Sequence, residues 1–112
     1  MYFLKGVVEA VDLVRNAGSL AISFITEIEL LCYDIENDEK KSIERFLNSI
    51  EIYYSDAETA RSAAEIRMKM GLKLPDAVIC VQAKQNNFIL ATADQGILKC
   101  KNGIKLINPF ER

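Results

Sequence analysis

Apolar residues recur along this chain in two rhythms. Leu, Val, Val, Val and Val stand at positions 4, 7, 8, 11 and 14. That three-and-four spacing lines one face of a helix, and Gly18 closes the segment. "LAISFI" (20–25) is a short, β-branched apolar run and predicts a buried strand. A helix follows over "TEIELLCYDI" (26–35), with Thr26 as its N-cap. A second helix near 39–49 carries Ile43, Phe46, Leu47 and then Ile50 on one face. "IEIYY" (50–54) predicts a strand. Ser55 and Glu58 have the capping-box spacing, and the helix they open runs to Gly71. Pro75 begins another helix, which continues to Asn86 or Asn87. "FILAT" (88–92) predicts a further buried strand, 95–100 a helical turn and "IKLIN" (104–108) a last strand. No repeat or linker interrupts the pattern, so residues 1–112 read as one domain.

Strands alternating with helices predict a parallel sheet covered on both faces, a three-layer α/β/α sandwich. In such a fold the helices run back against the strands, and their N-termini lie at the carboxyl edge of the sheet. That placement bears on "LPDAVIC" (74–80), where Asp76 directly follows Pro75. Taken alone, the pair is a helix start, with proline in the first turn and an acid at the positive end of the helix dipole. Asp94, however, follows strand 88–92 by two residues, and Glu27 and Glu29 follow strand 20–25. Three acidic segments thus meet where open α/β sheets carry their sites. Two carboxylates ~5 Å apart repel by roughly 3 kcal/mol at an effective dielectric near 20. Protonation or a cation relieves such a cluster. Oxygen ligands of this kind suit Mg²⁺ or Mn²⁺, ions that activate water and stabilise phosphoryl transition states.

Composition narrows the chemistry. Half of the 112 residues are apolar, and 14 basic against 16 acidic residues leave a formal charge of −2. An anionic partner must therefore be held by a local basic patch or a bound cation. Histidine is absent, which excludes Ser-His-Asp and Cys-His mechanisms. Cys32, Cys80 and Cys100 are odd in number and widely spaced, suggesting neither a disulfide framework nor a zinc site. Cys80 lies in an apolar run and predicts a buried thiol, which suits the cytoplasm. No apolar stretch approaches the ~20 residues of a membrane span. Glu9 and Asp12 interrupt the start, so it does not read as a signal peptide. Lys99, Lys101 and Lys105 near Asp94 are either a solvated face or phosphate contacts. Lys40, Lys41 and Arg45 belong to an ordinary amphipathic helix. Tyr53 and Tyr54 take strand and core roles or stack on bases. Without a Gly-rich phosphate loop, a nucleotide-binding domain is not supported.

"ISFITEIELL" (22–31), "LPDAVICVQA" (74–83), "ILATAD" (89–94) and "IKLINP" (104–109) together resemble PIN-domain proteins, above all the VapC-type toxins of bacterial toxin–antitoxin pairs. The order and spacing match over nearly the whole chain. The resemblance implies a metal-dependent endoribonuclease in which acidic residues bind Mg²⁺ or Mn²⁺ and cleave RNA. Glu29 matches the glutamate three residues past the threonine of the first motif. Asp76 matches the aspartate of the Pro-Asp-Ala motif, and Asp94 the aspartate after the fourth strand, with Thr92 as its hydroxyl neighbour at the substrate. Glu27 is then an exposed helix residue. The resemblance also implies an antitoxin partner, a homodimer and the sheet order 3-2-1-4-5.

The family opens with a central strand carrying an Asp-Thr-Asn motif, the source of a first ligand. "MYFLKGVVEAVDLV" resembles the end of that strand or the first helix after it, so the strand and its aspartate read as missing and the domain as N-terminally truncated. An unfilled slot between strands 20–25 and 88–92 would strand buried N–H and C=O groups at roughly 1–3 kcal/mol each. Residues 1–6 or a second subunit are therefore expected to occupy it. The competing reading is a non-catalytic module that keeps the fold and its antitoxin or dimer surface.

Overall fold

A computed structural model describes residues 2–4, 20–92, 94–98 and 103–108. Among these, five strands form one parallel sheet: β1 (Tyr2–Leu4), β2 (Leu20–Ser23), β3 (Glu51–Tyr53), β4 (Ile89–Ala91) and β5 (Lys105–Ile107). Their order is β3-β2-β1-β4-β5. The helices are α1 (Phe24–Leu31), α2 (Asn37–Ser49), α3 (Ala57–Met70), α4 (Leu74–Gln85) and the short α5 (Gln95–Leu98). This is the three-layer α/β arrangement that the alternation of elements predicts.

The alternation of strand side chains sorts the core into two layers. Ile22 and Ala91 face one side, with Tyr2, Leu20, Phe46, Leu47 and Ile50 packed against them. Phe3, Ala21 and Leu90 face the other, in a larger cluster with Ile66, Ala77, Ile79, Cys80 and Ile97. The apolar stripe of α2 thus covers one face, and the α3–α4 pair covers the other. Cys80 is buried, as its apolar surroundings predict, and Cys32 is exposed.

The centre of the sheet corrects the sequence reading. Leu4 does not begin a helix; it ends β1. Phe3 pairs with Ala21 of β2 and with Leu90 of β4. The slot expected to lack its strand is filled from this chain's own N-terminal residues, one of the two outcomes anticipated, and the fold needs no second subunit there. Leu4 happens to fit the spacing of Val7, Val8 and Val11, but Tyr-Phe-Leu suits a half-formed groove between two strands better than a solvated helix end. The rest of that helix reading, residues 5–18, lies outside the described residues, as do Lys99, Cys100 and Lys101.

Two caps also shift. Helix α1 begins at Phe24 and is capped by Ser23, whose Oγ accepts the Ile25 N–H at 3.1 Å, so Thr26 is already inside the first turn. It ends at Leu31, earlier than the pattern suggested. Helix α3 is capped by Asp56 in place of Ser55. Asp56 Oδ1 accepts the Thr59 N–H at 2.8 Å and lies 2.9 Å from the Thr59 hydroxyl.

These bonds to Thr59, the backbone one foremost, hold the Asp56 carboxyl below the usual carboxylate range. A lowered folded pKa adds stability above the ordinary carboxylate pKa of ~3.9 and loses it as pH falls through the folded value. Thermal melts of the wild type and Asp56→Ala should therefore differ by a constant gap near neutrality. The gap should close progressively below about pH 4; a gap independent of pH down to 2 would show that the charge contributes nothing.

At the other end of α3, Gly71 has φ +67° and its N–H reaches Arg67 O at 2.9 Å. A Cβ there meets nothing within 4 Å, so only the left-handed backbone is at stake. Gly71→Ala is expected to lower unfolding stability by about 1 kcal/mol, read from the urea midpoint.

Candidate functional site

Because all five strands are parallel, the segments after β2, β3 and β4 emerge at one edge. After β2 comes Ser23, fully buried, then the first turn of α1. Thr26 is 2% exposed, and its Oγ1 has no hydrogen-bond partner among the described residues. Glu29 sits one turn beyond Ile25, half-buried.

After β4 comes Thr92, 1% exposed, whose N–H donates to Ile107 O at 3.0 Å. Its Oγ1 accepts the Asp94 N–H at 3.1 Å, and Asp94 Oδ1 in turn accepts the Ile97 N–H at 3.2 Å. The Thr92 hydroxyl thus holds the Asp94 backbone, and the Ile97 N–H orients its carboxylate. Gly96 leaves it room: a Cβ there would stand 3.1 Å from Asp94 Oδ1. Thr92, the expected hydroxyl neighbour of Asp94, meets its backbone N–H. Gly96 beside Asp94 and Ser23 at the start of α1 carry no signal in the sequence beyond their position at element boundaries.

Asp76 occupies the first turn of α4, behind Pro75, and is 9% exposed. It lies on the stripe of Ile79, Cys80 and Ala83, all buried. A carboxylate that merely began a helix would face solvent. Ile25, Ala77 and Ile97, each near one of the three acids in sequence, belong to a single apolar cluster. The core therefore ties the Glu29, Asp76 and Asp94 segments to the same edge.

Convergence of segments is not a cage. Among the described residues, no group of three or more Asp, Glu or Cys side chains stands close enough together to hold a metal ion. β1, at the centre of the edge, carries no carboxylate: its residues are Tyr2, Phe3 and Leu4. Mg²⁺ or Mn²⁺ thus lacks a complete described ligand set.

Glu27 departs from its expected role. It is half-buried and accepts the Tyr54 hydroxyl, at 3.2 Å to one carboxylate oxygen and 3.4 Å to the other. Tyr54 follows β3 and stacks on Phe24, ring centroids 6.2 Å apart. Desolvation, then the Glu27 bond and charge, push its phenol up, so it remains a donor at neutral pH. Tyr53 takes the core role, edge-on to Phe3 and Phe88 at 6.0 and 5.1 Å. Lys105 is exposed on β5.

No described helix is long and apolar enough to cross a membrane. No curated protein matches the chain significantly in sequence. Solved structures do match in fold. A toxin–antitoxin complex from Klebsiella pneumoniae contains a chain that superposes with a TM-score of 0.82 at 20% identity, with 100% of both chains covered. DNA-bound VapBC from Salmonella typhimurium gives 0.79 at 17% identity, covering 96% of this chain and 97% of that one. FitAcB from Neisseria gonorrhoeae gives 0.74 at 21% identity over 100% of both. The sequence model for the PIN domain matches residues 3–102, a span that starts inside β1 and takes in Glu29, Asp76 and Asp94. The chain belongs to the PIN domain family.

Proposed function

We propose that this chain is the toxin of a toxin–antitoxin pair: a cytoplasmic, homodimeric PIN-fold protein that binds RNA at the carboxyl edge of its sheet, acts on its phosphodiester bonds, and is held by a partner antitoxin. The observation that carries the reading is the nine-tenths-buried Asp76 brought to the same edge as the oriented Asp94 carboxylate. Similarity in fold to chains of toxin–antitoxin complexes supports the partner.

Glu29, Asp76 and Asp94 are the residues proposed for the site, with the Thr92 hydroxyl beside the substrate. Mg²⁺ or Mn²⁺ is the ion such carboxylates suit, but the described ones do not form a three-donor set. Cleavage is accordingly expected to be slow. A second reading, a non-catalytic module that keeps the antitoxin surface, is favoured by one observation, the absence of a carboxylate from β1.

The test is incubation with end-labelled single-stranded RNA in Mn²⁺ or in EDTA. Slow cleavage that needs Mn²⁺ and disappears in Asp94→Ala supports the enzyme. Binding without any cleavage supports the module. Cleavage that persists in EDTA and in Asp94→Ala would overturn the placement of the site.

A further inference from the structure

A second feature lies beside the end of β3, away from the acids. An open groove of about 420 Å³ runs between the end of β3, the first turn of α3 and the last turns of α4, a size within the range of small-ligand sites. Tyr54, Asp56, Glu58, Gln82, Gln85 and Asn86 line it.

Three properties of the groove specify a ligand. Tyr54 is 65% exposed, yet its hydroxyl is tied to Glu27 and its ring leans on Phe24, so little rotamer freedom is left to lose on binding. Gln82 is 2% exposed; its Nε2 donates to Tyr53 O at 3.1 Å, while its buried Oε1 has no hydrogen-bond partner among the described residues. A buried acceptor left unmet is costly and is a place where a donor from outside is rewarded. Finally, the described lining holds two carboxylates and no lysine or arginine. That disfavours a phosphate inside the groove and favours a group rich in N–H donors.

We propose that this groove is a nucleobase pocket: a base stacks on Tyr54 and presents its donor edge to Gln82 and its neighbours, with guanine, through N1–H and N2–H₂, the preferred occupant. Recognition of unpaired bases by aromatic stacking plus hydrogen bonds to their Watson–Crick edges is the usual route to sequence preference in RNA. The position suits a flanking nucleotide. Tyr54 follows β3 and Asp94 follows β4, three strand spacings or about 14 Å apart across the edge. A strand lying across the carboxyl ends reaches both. This rests on the RNA reading above and adds the base that the chain selects.

The test uses the whole chain in EDTA, so that binding is read without cleavage. Fluorescence anisotropy compares fluorescein-labelled RNA octamers, all-uridine against the same octamer with one central guanosine. The guanosine octamer is expected to bind about tenfold more tightly, the effect of one stacked, edge-read base. Tyr54→Leu, at an exposed position that does not threaten folding, is expected to bring the two within about twofold, whereas Tyr54→Phe retains the preference. Gln82→Met, close in volume, is expected to remove it through the lost acceptor. Equal binding of both octamers by the wild type overturns the pocket and leaves the RNA reading standing. A preference that survives Tyr54→Leu overturns the assignment to this groove. No binding of either octamer, whether in EDTA or in Ca²⁺, overturns both.

Discussion

Phe3→Ala is expected to remove about 3–5 kcal/mol of folding stability, a large share of the ~5–15 kcal/mol that holds a typical domain together. Phe3 is fully buried in the middle strand of five. Its ring meets Tyr53 at 6.0 Å and Phe88 at 5.6 Å, so truncation leaves a cavity bordered by two stiff aromatics that cannot collapse into it. It also weakens β1, whose backbone supplies partners to β2 and β4 at once. Urea denaturation followed by circular dichroism gives the difference. Phe3→Leu should cost less, since it keeps most of the apolar volume. A loss below about 0.5 kcal/mol, the size of an ordinary surface change, would show that these residues do not form the centre of the sheet.

Lys5→Asp is expected to raise Mn²⁺-dependent RNA cleavage at least tenfold, and by orders of magnitude if the carboxylates act as a unit. Lys5 is the residue that comes after β1 in the sequence, and the family resemblance calls for a carboxylate from that strand. The described strand, Tyr2–Leu4, carries none, so an aspartate placed directly after it is expected to supply that donor. Asp76→Asn in the Lys5→Asp background should abolish the gain, because an amide oxygen carries no charge to hold the ion. The same pair is separable by melting: Mn²⁺ should raise the melting temperature of Lys5→Asp more than that of the wild type, and neither ought to respond once Asp76 is neutral. An unchanged cleavage rate in Lys5→Asp, with a metal-induced rise in melting temperature, would place the defect elsewhere in the site. No change in either would favour the non-catalytic module.

Features that local chemistry dictates without help were legible in the chain directly. The helix stop at Gly71 needed only the left-handed cap, and the structure has it at φ +67°. The start of α4 behind Pro75 and the face of α2 that carries Phe46, Leu47 and Ile50 came from fixed φ and helical spacing. The buried run "FILAT" contains β4, shortened at both ends. From these the parallel sheet could be deduced, and with it the edge from which the segments carrying Glu29, Asp76 and Asp94 start, since helices that run back between parallel strands begin there.

Neighbours decided the rest. Ser55 and Asp56 are both good caps, and the helix starts behind Asp56, where Thr59 also meets Gln85 of α4. Leu4 satisfies a helical spacing and a strand equally well. The choice fell to the backbone groups of β2 and β4, which would be left unpaired without Tyr2–Leu4 between them. That Asp76 is buried, and whether three acids make a cage, depended on packing and distances that no spacing encodes. Gln82 sits in an ordinary apolar stretch, and its unmet oxygen beside Tyr54 exists only because β3 and α4, nearly thirty residues apart in the chain, pack together. Sequence periodicity determined which elements exist and which edge they share, because those depend on φ, capping and side-chain spacing. The tertiary structure decided which polar atoms are met and which are left open, because hydrogen-bond satisfaction is settled between segments that the chain brings together only by folding.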